Sequence, residues 1–257
     1  MNPVKSLQKH GQAVWLDFLA RGFIAKGDLK KLIDDDGVRG VTSNPAIFEK
    51  AVGSSDEYDG AIAKALKQAD RPVTALFEVV AIEDIQNAAD VLRPVYDSLK
   101  GADGYVSLEV SPYLANDTDG TIAEAERLWR EVNRPNLMIK VPATPEGLPA
   151  IQHLTAQGIS INITLLFSQK VYQEVAEAYL SGLEEYVGKG GDPSHVASVA
   201  SFFVSRIDSA IDKQLDDAIA KANDPAEKAR LKELQGKVAI ANAKMAYQHY
   251  KKAFADA

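Results

Sequence analysis

The stretch Ile161-Asn162-Ile163-Thr164-Leu165 decides the architecture. In an extended backbone its isoleucines and Leu165 share one face, and Asn162 and Thr164 share the other. A parallel sheet buried by helices on both faces reads instead as an unbroken apolar run. The same departure recurs outward from this stretch. In Ser107-Leu108-Glu109-Val110 the serine and the glutamate share a face, and in Leu137-Met138-Ile139-Lys140-Val141 a lysine interrupts an apolar strand. Asp17 sits in Val14-Trp15-Leu16-Asp17-Phe18, and Ser201 and Phe203 alternate with Ala200, Phe202 and Val204. Burying such groups without partners costs several kcal/mol, more when they are ionised. Polar residues near the C-terminal ends of five strands therefore point to one shared site, because in a βα barrel those ends converge on the active-site face.

The strands expected from these patterns are residues 13–18, 38–42, 105–110, 137–141, 160–167 and 196–204, with helical stretches between them. Ile82, Ile85, Ala89, Leu92, Tyr96 and Leu99 step by three and four, the stripe of an amphipathic helix that also takes in residues 74–81. Thr121 with Glu124 reads as a capping box, Thr144-Pro145 as a cap followed by a first-turn proline with Gly158 closing that helix, and Ser168 as a further helix start. Strand–helix alternation means right-handed βαβ units and a parallel sheet. A barrel and an open doubly wound sheet compete. No Gly-x-Gly-x-x-Gly follows any strand, and Gly188-Lys189-Gly190-Gly191 lacks phosphate-loop spacing and reads as a flexible loop.

Composition narrows the function classes. The 257 residues carry a net charge of −7 with no Lys/Arg block, which argues against a nucleic-acid surface. No apolar run reaches the ~20 residues of a membrane span, and no signal-peptide core follows Met1, so a cytoplasmic location is expected. Without cysteine there is no thiolate nucleophile or Cys-ligated zinc. His10, His153, His195 and His249 lack ligand spacing, so no metal is expected. Asp117, Asp119, Gly120 and Glu126 mimic part of a calcium loop but read better as helix entry.

Lys140 among Met138, Ile139 and Val141 lies where a low dielectric favours a neutral, nucleophilic amine able to form Schiff bases with carbonyls. Glu109 and Asp17 can carry the proton transfers that imine chemistry requires. A Schiff-base lyase or transferase is the expected activity.

At these residues the chain resembles the transaldolases. The resemblance rests on Trp15-Leu16-Asp17, Thr42-Ser43-Asn44-Pro45, Ser107-Leu108-Glu109-Val110, Met138-Ile139-Lys140-Val141-Pro142, the run Asn162-Ile163-Thr164-Leu165-Leu166-Phe167-Ser168, and Ser201-Phe202-Phe203-Val204-Ser205-Arg206. It implies an α/β fold of the (β/α)8 TIM-barrel kind, as one domain over residues 1–257. It also implies transfer of a dihydroxyacetone unit from sedoheptulose 7-phosphate to glyceraldehyde 3-phosphate in the pentose phosphate pathway, with no cofactor. By the resemblance Lys140 forms the imine, Asp17 exchanges a proton with the C4 hydroxyl, and Glu109 and Thr164 hold the water that shuttles protons. Asn44 and Asn162 would bond the dihydroxyacetone hydroxyls, Ser201 and Arg206 the substrate phosphate, and Phe203 would shape the pocket. Fructose-6-phosphate aldolases resemble this pattern with a Gln at the place of Glu109, which makes the lyase the alternative.

About six of the eight βα units are counted in the sequence; after Arg206, Ile207, Ile211, Leu215 and Ile219 step by four, a break follows at Asn223-Asp224-Pro225, and a Lys/Ala-rich helix then runs to the end, with no C-cap at Ala257. Against the family pattern, the last two strand–helix units and the phosphate-binding arginine expected after the seventh strand are then missing. An inactive fragment, or half of a fusion with glucose-6-phosphate isomerase, is the non-enzymatic alternative. Strands 1 and 6 become bare edges that expose Trp15, Phe202 and Phe203. Beyond sugar phosphates, the partners expected are a second copy of the chain or a further C-terminal segment.

Overall fold

The computed structural model describes residues 2–70 and 72–255, so the sequence readings at Met1 and Ala257 lie outside the described residues. Six strands form one sheet in chain order: β1 (Val14–Asp17), β2 (Val38–Thr42), β3 (Tyr105–Glu109), β4 (Leu137–Pro142), β5 (Ile161–Leu166) and β6 (Ser198–Phe202). Every neighbouring pair is parallel. The sheet curls into a half-barrel whose edges are β1 and β6.

Parallel neighbours need long crossovers, and helices supply them. The helices of nine or more residues are α1 (Pro45–Gly53), α2 (Asp59–Gln68), α3 (Val73–Ser98), α4 (Thr118–Val132), α5 (Gly147–Thr155), α6 (Gln169–Gly188), α7 (Ser205–Lys221), α8 (Pro225–Leu234) and α9 (Val238–Ala253). Their apolar stripes bury the outer face of the sheet. Val41, Val106, Leu108, Ile139, Val141, Ile161 and Ile163 pack there with Ile85, Leu92, Leu128, Ile151, Leu154 and Val175 in one core. Each such side chain contributes about 1.5–3 kcal/mol of burial.

The inner face is layered. At the N-terminal ends of the strands Tyr105 and Met138 are buried, with Trp15 and Val199 packed against them. Trp15 Nε1 donates to Asp103 Oδ1 at 2.9 Å. Gly40 lies directly beneath this indole, where an added Cβ would meet the ring at 2.2 Å. Above this apolar layer, towards the C-terminal strand ends, the inward side chains become polar.

Several local expectations are corrected. Helix α4 opens at Thr118, capped by Asp117, whose carboxylate accepts from Gly120 N at 3.0 Å. Thr121 lies inside it and donates its hydroxyl to Leu114 O at 3.0 Å instead of capping. Thr144-Pro145 forms a turn before α5, with Thr144 Oγ1 accepting from Gly147 N, while Gly158 closes the segment at φ +78°. Ser168 caps α6 through Val171 N as expected. The break expected at Asn223-Asp224-Pro225 separates α7 from α8, but the helix expected to run from there to the end is two, because Gly236, at φ +68°, separates α8 from α9 and donates its N–H to Asp212. The edge aromatics are half-buried, not bare: Phe202 meets the Tyr172 ring edge-on at 6.2 Å, and Phe203 stacks on Phe167 at 4.9 Å.

Candidate active site

Strand β4 is buried along its whole length and carries Lys140 into the interior of the half-barrel. The register pairs Glu109 with Lys140 and Lys140 with Asn162, so adjacent strands bring these three side chains to one level. The Lys140 side chain is 8% exposed; its Nζ donates to Ser43 O at 3.2 Å and lies 3.3 Å from Glu109 Oε2. Burial pushes the Glu109 carboxyl above its ordinary range, while Lys140 and Arg206 pull it down and the nearby Asp17 charge adds to the rise. The result is a buried amine held between a main-chain carbonyl and a carboxyl that burial biases towards its protonated form.

An open cavity of about 830 Å³ lies above this pair and is bordered by Asp17, Asn44, Glu109, Lys140, Thr164, Ser201, Phe203 and Arg206. Asp17 ends β1, is exposed and pairs with Thr42 across the sheet. Asn44 caps α1, its Oδ1 accepting from Ile47 N at 3.1 Å, which leaves the Nδ2 donor as what it can offer a ligand. Thr164, 2% exposed, sits where β5 pairs with Pro142. Arg206 is exposed on the first turn of α7, and its guanidinium lies 4.6 Å above the Phe203 ring. Asn162 is not on the cavity surface. It lies behind it, its Nδ2 donating to Ser107 Oγ at 2.9 Å and its Oδ1 accepting from Ser201 Oγ at 2.7 Å.

One strand end departs from regular geometry. Leu165 adopts φ +62°, and the β5–β6 register shifts between Ile163 and Leu166. An extra residue is thereby accommodated. Leu165 is 39% exposed instead of sharing the isoleucine face, and Leu166 is fully buried in its stead. Left-handed backbone at a leucine costs on the order of 1–3 kcal/mol, and such residues cluster where a site is being shaped.

The structure adds groups to the site. The Ser43 carbonyl holds the amine, and Ser43 Oγ donates to Ser107 O at 2.7 Å. A main-chain acceptor has no side-chain signature, so this role was invisible. Thr42 Oγ1 and Asp208 Oδ1 are buried without hydrogen-bond partners, and both residues border the cavity. Thr42 belongs to the Thr42-Ser43-Asn44-Pro45 turn, where nothing in the sequence assigns its hydroxyl a role, and Asp208 lies on a helix without a sequence signal. No group of three or more His, Cys, Asp or Glu among the described residues is arranged to hold a metal. No helix among them is long and apolar enough to cross a membrane. Chemically, the cavity presents a buried amine with two carboxyls for carbonyl addition, and a guanidinium for an anion.

Comparison with known proteins bears on that chemistry. Residues 14–256 match the family described as transaldolase/fructose-6-phosphate aldolase. A transaldolase from Trichodesmium erythraeum is 49% identical over 251 residues, covering 98% of this chain and 66% of that protein. Transaldolase 2 from Nostoc punctiforme is 49% identical over 252 residues, with the same shares of 98% and 66%. A transaldolase from Thermobifida fusca is 48% identical over 261 residues, covering 100% of this chain and 67% of its own length. The chain thus spans 66% of the length of the first two relatives.

Proposed function

Because this chain belongs to the transaldolase/fructose-6-phosphate aldolase family, we propose that it carries the Schiff-base site of a transaldolase, moving a dihydroxyacetone unit from a ketose phosphate to an aldose phosphate. The observation that supports this reading most directly is the buried Lys140 amine 3.3 Å from Glu109 in the floor of the cavity that Asp17 and Arg206 also border.

In this reading the Lys140 nitrogen lone pair attacks the donor's C2 carbonyl, and a proton passes from nitrogen to the oxygen as the carbinolamine forms. The carbinolamine hydroxyl leaves as water, with its proton supplied through Glu109, and an iminium remains. Asp17 takes the C4 hydroxyl proton; the electrons of the broken O–H bond form the aldehyde carbonyl, the C3–C4 bond breaks and its electrons pass into the iminium to give the enamine. The aldose departs. An acceptor aldehyde is attacked by the enamine C3, Asp17 returns its proton to the new C4 oxygen, and water then attacks C2 to release the ketose and the amine. Arg206, on the first turn of a helix, suits the substrate phosphate by charge and by its fork of donors. Amides such as that of Asn44 suit polyol hydroxyls.

Borohydride reduction in the presence of fructose 6-phosphate tests the reading. One covalent adduct at Lys140 is expected, together with transfer to an added aldose phosphate. An adduct mapped to Lys64 or Lys170 would overturn the lysine assignment. Release of free dihydroxyacetone without transfer would select the lyase instead.

A further inference from the structure

We infer that Asn242, on α9, is a positioning residue for the phosphate end of the site, acting through the stack Phe167–Phe203–Arg206. The inference rests on the Schiff-base reading above and extends it to a helix that does not border the cavity.

Asn242 Nδ2 donates to Phe167 O at 2.9 Å. Its Oδ1 accepts from Gln169 Nε2 at 3.3 Å, so one half-buried amide ties α9 to the segment that leads from β5 into α6. Phe167 lies two residues beyond the left-handed Leu165, and its ring stacks face to face on Phe203 at 4.9 Å and 13°. Phe203 N in turn donates to Leu166 O at 2.9 Å, so backbone and rings of the two segments are joined at the same place. The Arg206 guanidinium rests 4.6 Å above the other partner of that stack, Phe203. Arg206 is exposed and forms no salt bridge among the described residues, and the Phe203 ring is the group its guanidinium rests on. A planar guanidinium binds phosphate well only when its fork is aimed. Asn242 anchors the base of that platform.

The hydrogen bond and ion pair that hold Lys140 involve Ser43 and Glu109, not this stack, and Arg206 reaches that pair only as one of several charges acting on Glu109. Loss of the Asn242 amide should therefore weaken only ligands that reach Arg206, and leave imine formation with a phosphate-free ketone untouched. The test measures the half-saturating concentration for borohydride trapping at Lys140 with two donors, fructose 6-phosphate and dihydroxyacetone. For Asn242→Ala and Asn242→Asp, both lacking the donor, the value for fructose 6-phosphate should rise about ten-fold, which corresponds to about 1.4 kcal/mol. The value for dihydroxyacetone should stay within a factor of about two. Asn242→Gln, which keeps an amide donor, should recover part of the difference. Gln173→Ala removes another α6–α9 contact, the one to His249, and should shift neither value.

An unchanged fructose 6-phosphate value in the two donor-lacking variants, with wild-type trapping intact, overturns this inference alone. Equal rises for both donors mean general loosening and overturn it too. Absence of any Lys140 adduct in the wild-type chain removes the Schiff-base reading, and this inference falls with it.

Discussion

The middle of the sheet and its two edges are built differently. Strands β3, β4 and β5 are buried almost throughout and hold Glu109, Lys140, Asn162 and Thr164 in a fixed register. Strands β1 and β6 are half-buried or exposed along their length, and they present Asp17, Ser201, Phe203 and Arg206 from their ends and the residues that follow. The middle would supply the nucleophile, its geometry set by the two parallel ladders that join β4 to β3 and β5. The edges supply groups held by stacking and single hydrogen bonds. The amine and the carboxyl beside it thus sit where the chain is most constrained, whereas Asp17, which would exchange a proton at C4, and the groups that would meet the phosphate end sit where it is least constrained.

The largest expected effect lies in the middle. Lys140→Met keeps the apolar stem and removes the amine, so trapping should fall to background and turnover by more than about 10³-fold. Thermal melts should show the variant folded; residual trapping at another lysine would break the contrast. Glu109→Gln keeps the shape beside the amine and removes the titrating proton, so turnover should fall by about 10²–10³-fold. The ratio of free dihydroxyacetone to transfer should rise, read by parallel assays of the two products. An unaltered ratio would detach Glu109 from the proton traffic.

The third prediction concerns what steadies an edge. After β1, Arg21 reaches back to Asp84 on α3, Nε to Oδ1 at 2.8 Å, and its guanidinium covers the Tyr58 ring at 4.9 Å. Asp84 is fully buried, and Arg21→Ala would leave its charge unpaired, at a cost of about 3 kcal/mol in denaturant melts. Burial raises the Asp84 carboxyl above its ordinary range against the pull of Arg21. The folded chain then holds this proton more tightly than the unfolded chain. The contribution favours folding below the ordinary carboxylate pKa and is lost as pH rises through the raised value. Removing Arg21 raises the carboxyl further, so the deficit of the variant should be small in acid and grow towards neutral pH. A deficit independent of pH would assign the effect to lost packing.

The smallest effect sharpens the comparison directly. Val141→Ala on β4, at a fully buried position, should cost about 2 kcal/mol, and Val199→Ala on the half-buried β6 about half as much. Equal costs would show that the edge is as well packed as the middle.

Much of the middle was legible in the sequence, because alternation of polar and apolar residues along a strand is a direct image of its two faces. Asn162 and Thr164 against Ile161 and Ile163, or Glu109 against Leu108, can be read without coordinates. What could not be read was set by the main chain or by competition between nearby caps. Asp117 and Thr121 both have capping chemistry, and the aspartate prevails because its carboxylate reaches Gly120 N while the threonine hydroxyl is taken by Leu114 O. Gly236 looked like one more residue in a Lys/Ala-rich helix, and its positive φ depends on the contact with Asp212. The hold of Ser43 on Lys140 runs through a carbonyl that every residue possesses. The step that takes Asn162 off the cavity surface depends on Ser107 and Ser201 approaching from neighbouring strands.

The irregular residue in β5 has a consequence for how this strand tolerates change in length. Up to Thr164 the odd positions face the helices; after Leu165 the even position Leu166 does. Leu165 therefore acts as a half-period insertion, a phase shift written into one strand. Removing it would leave Thr164 followed directly by Leu166 in strict alternation, with Leu166 still opposite Phe202 and still in the core. Keeping the residue but drawing it into regular extended backbone would instead turn Leu166 towards the cavity. Among related chains, loss of this one residue should be borne more readily than a version that keeps it and straightens the strand.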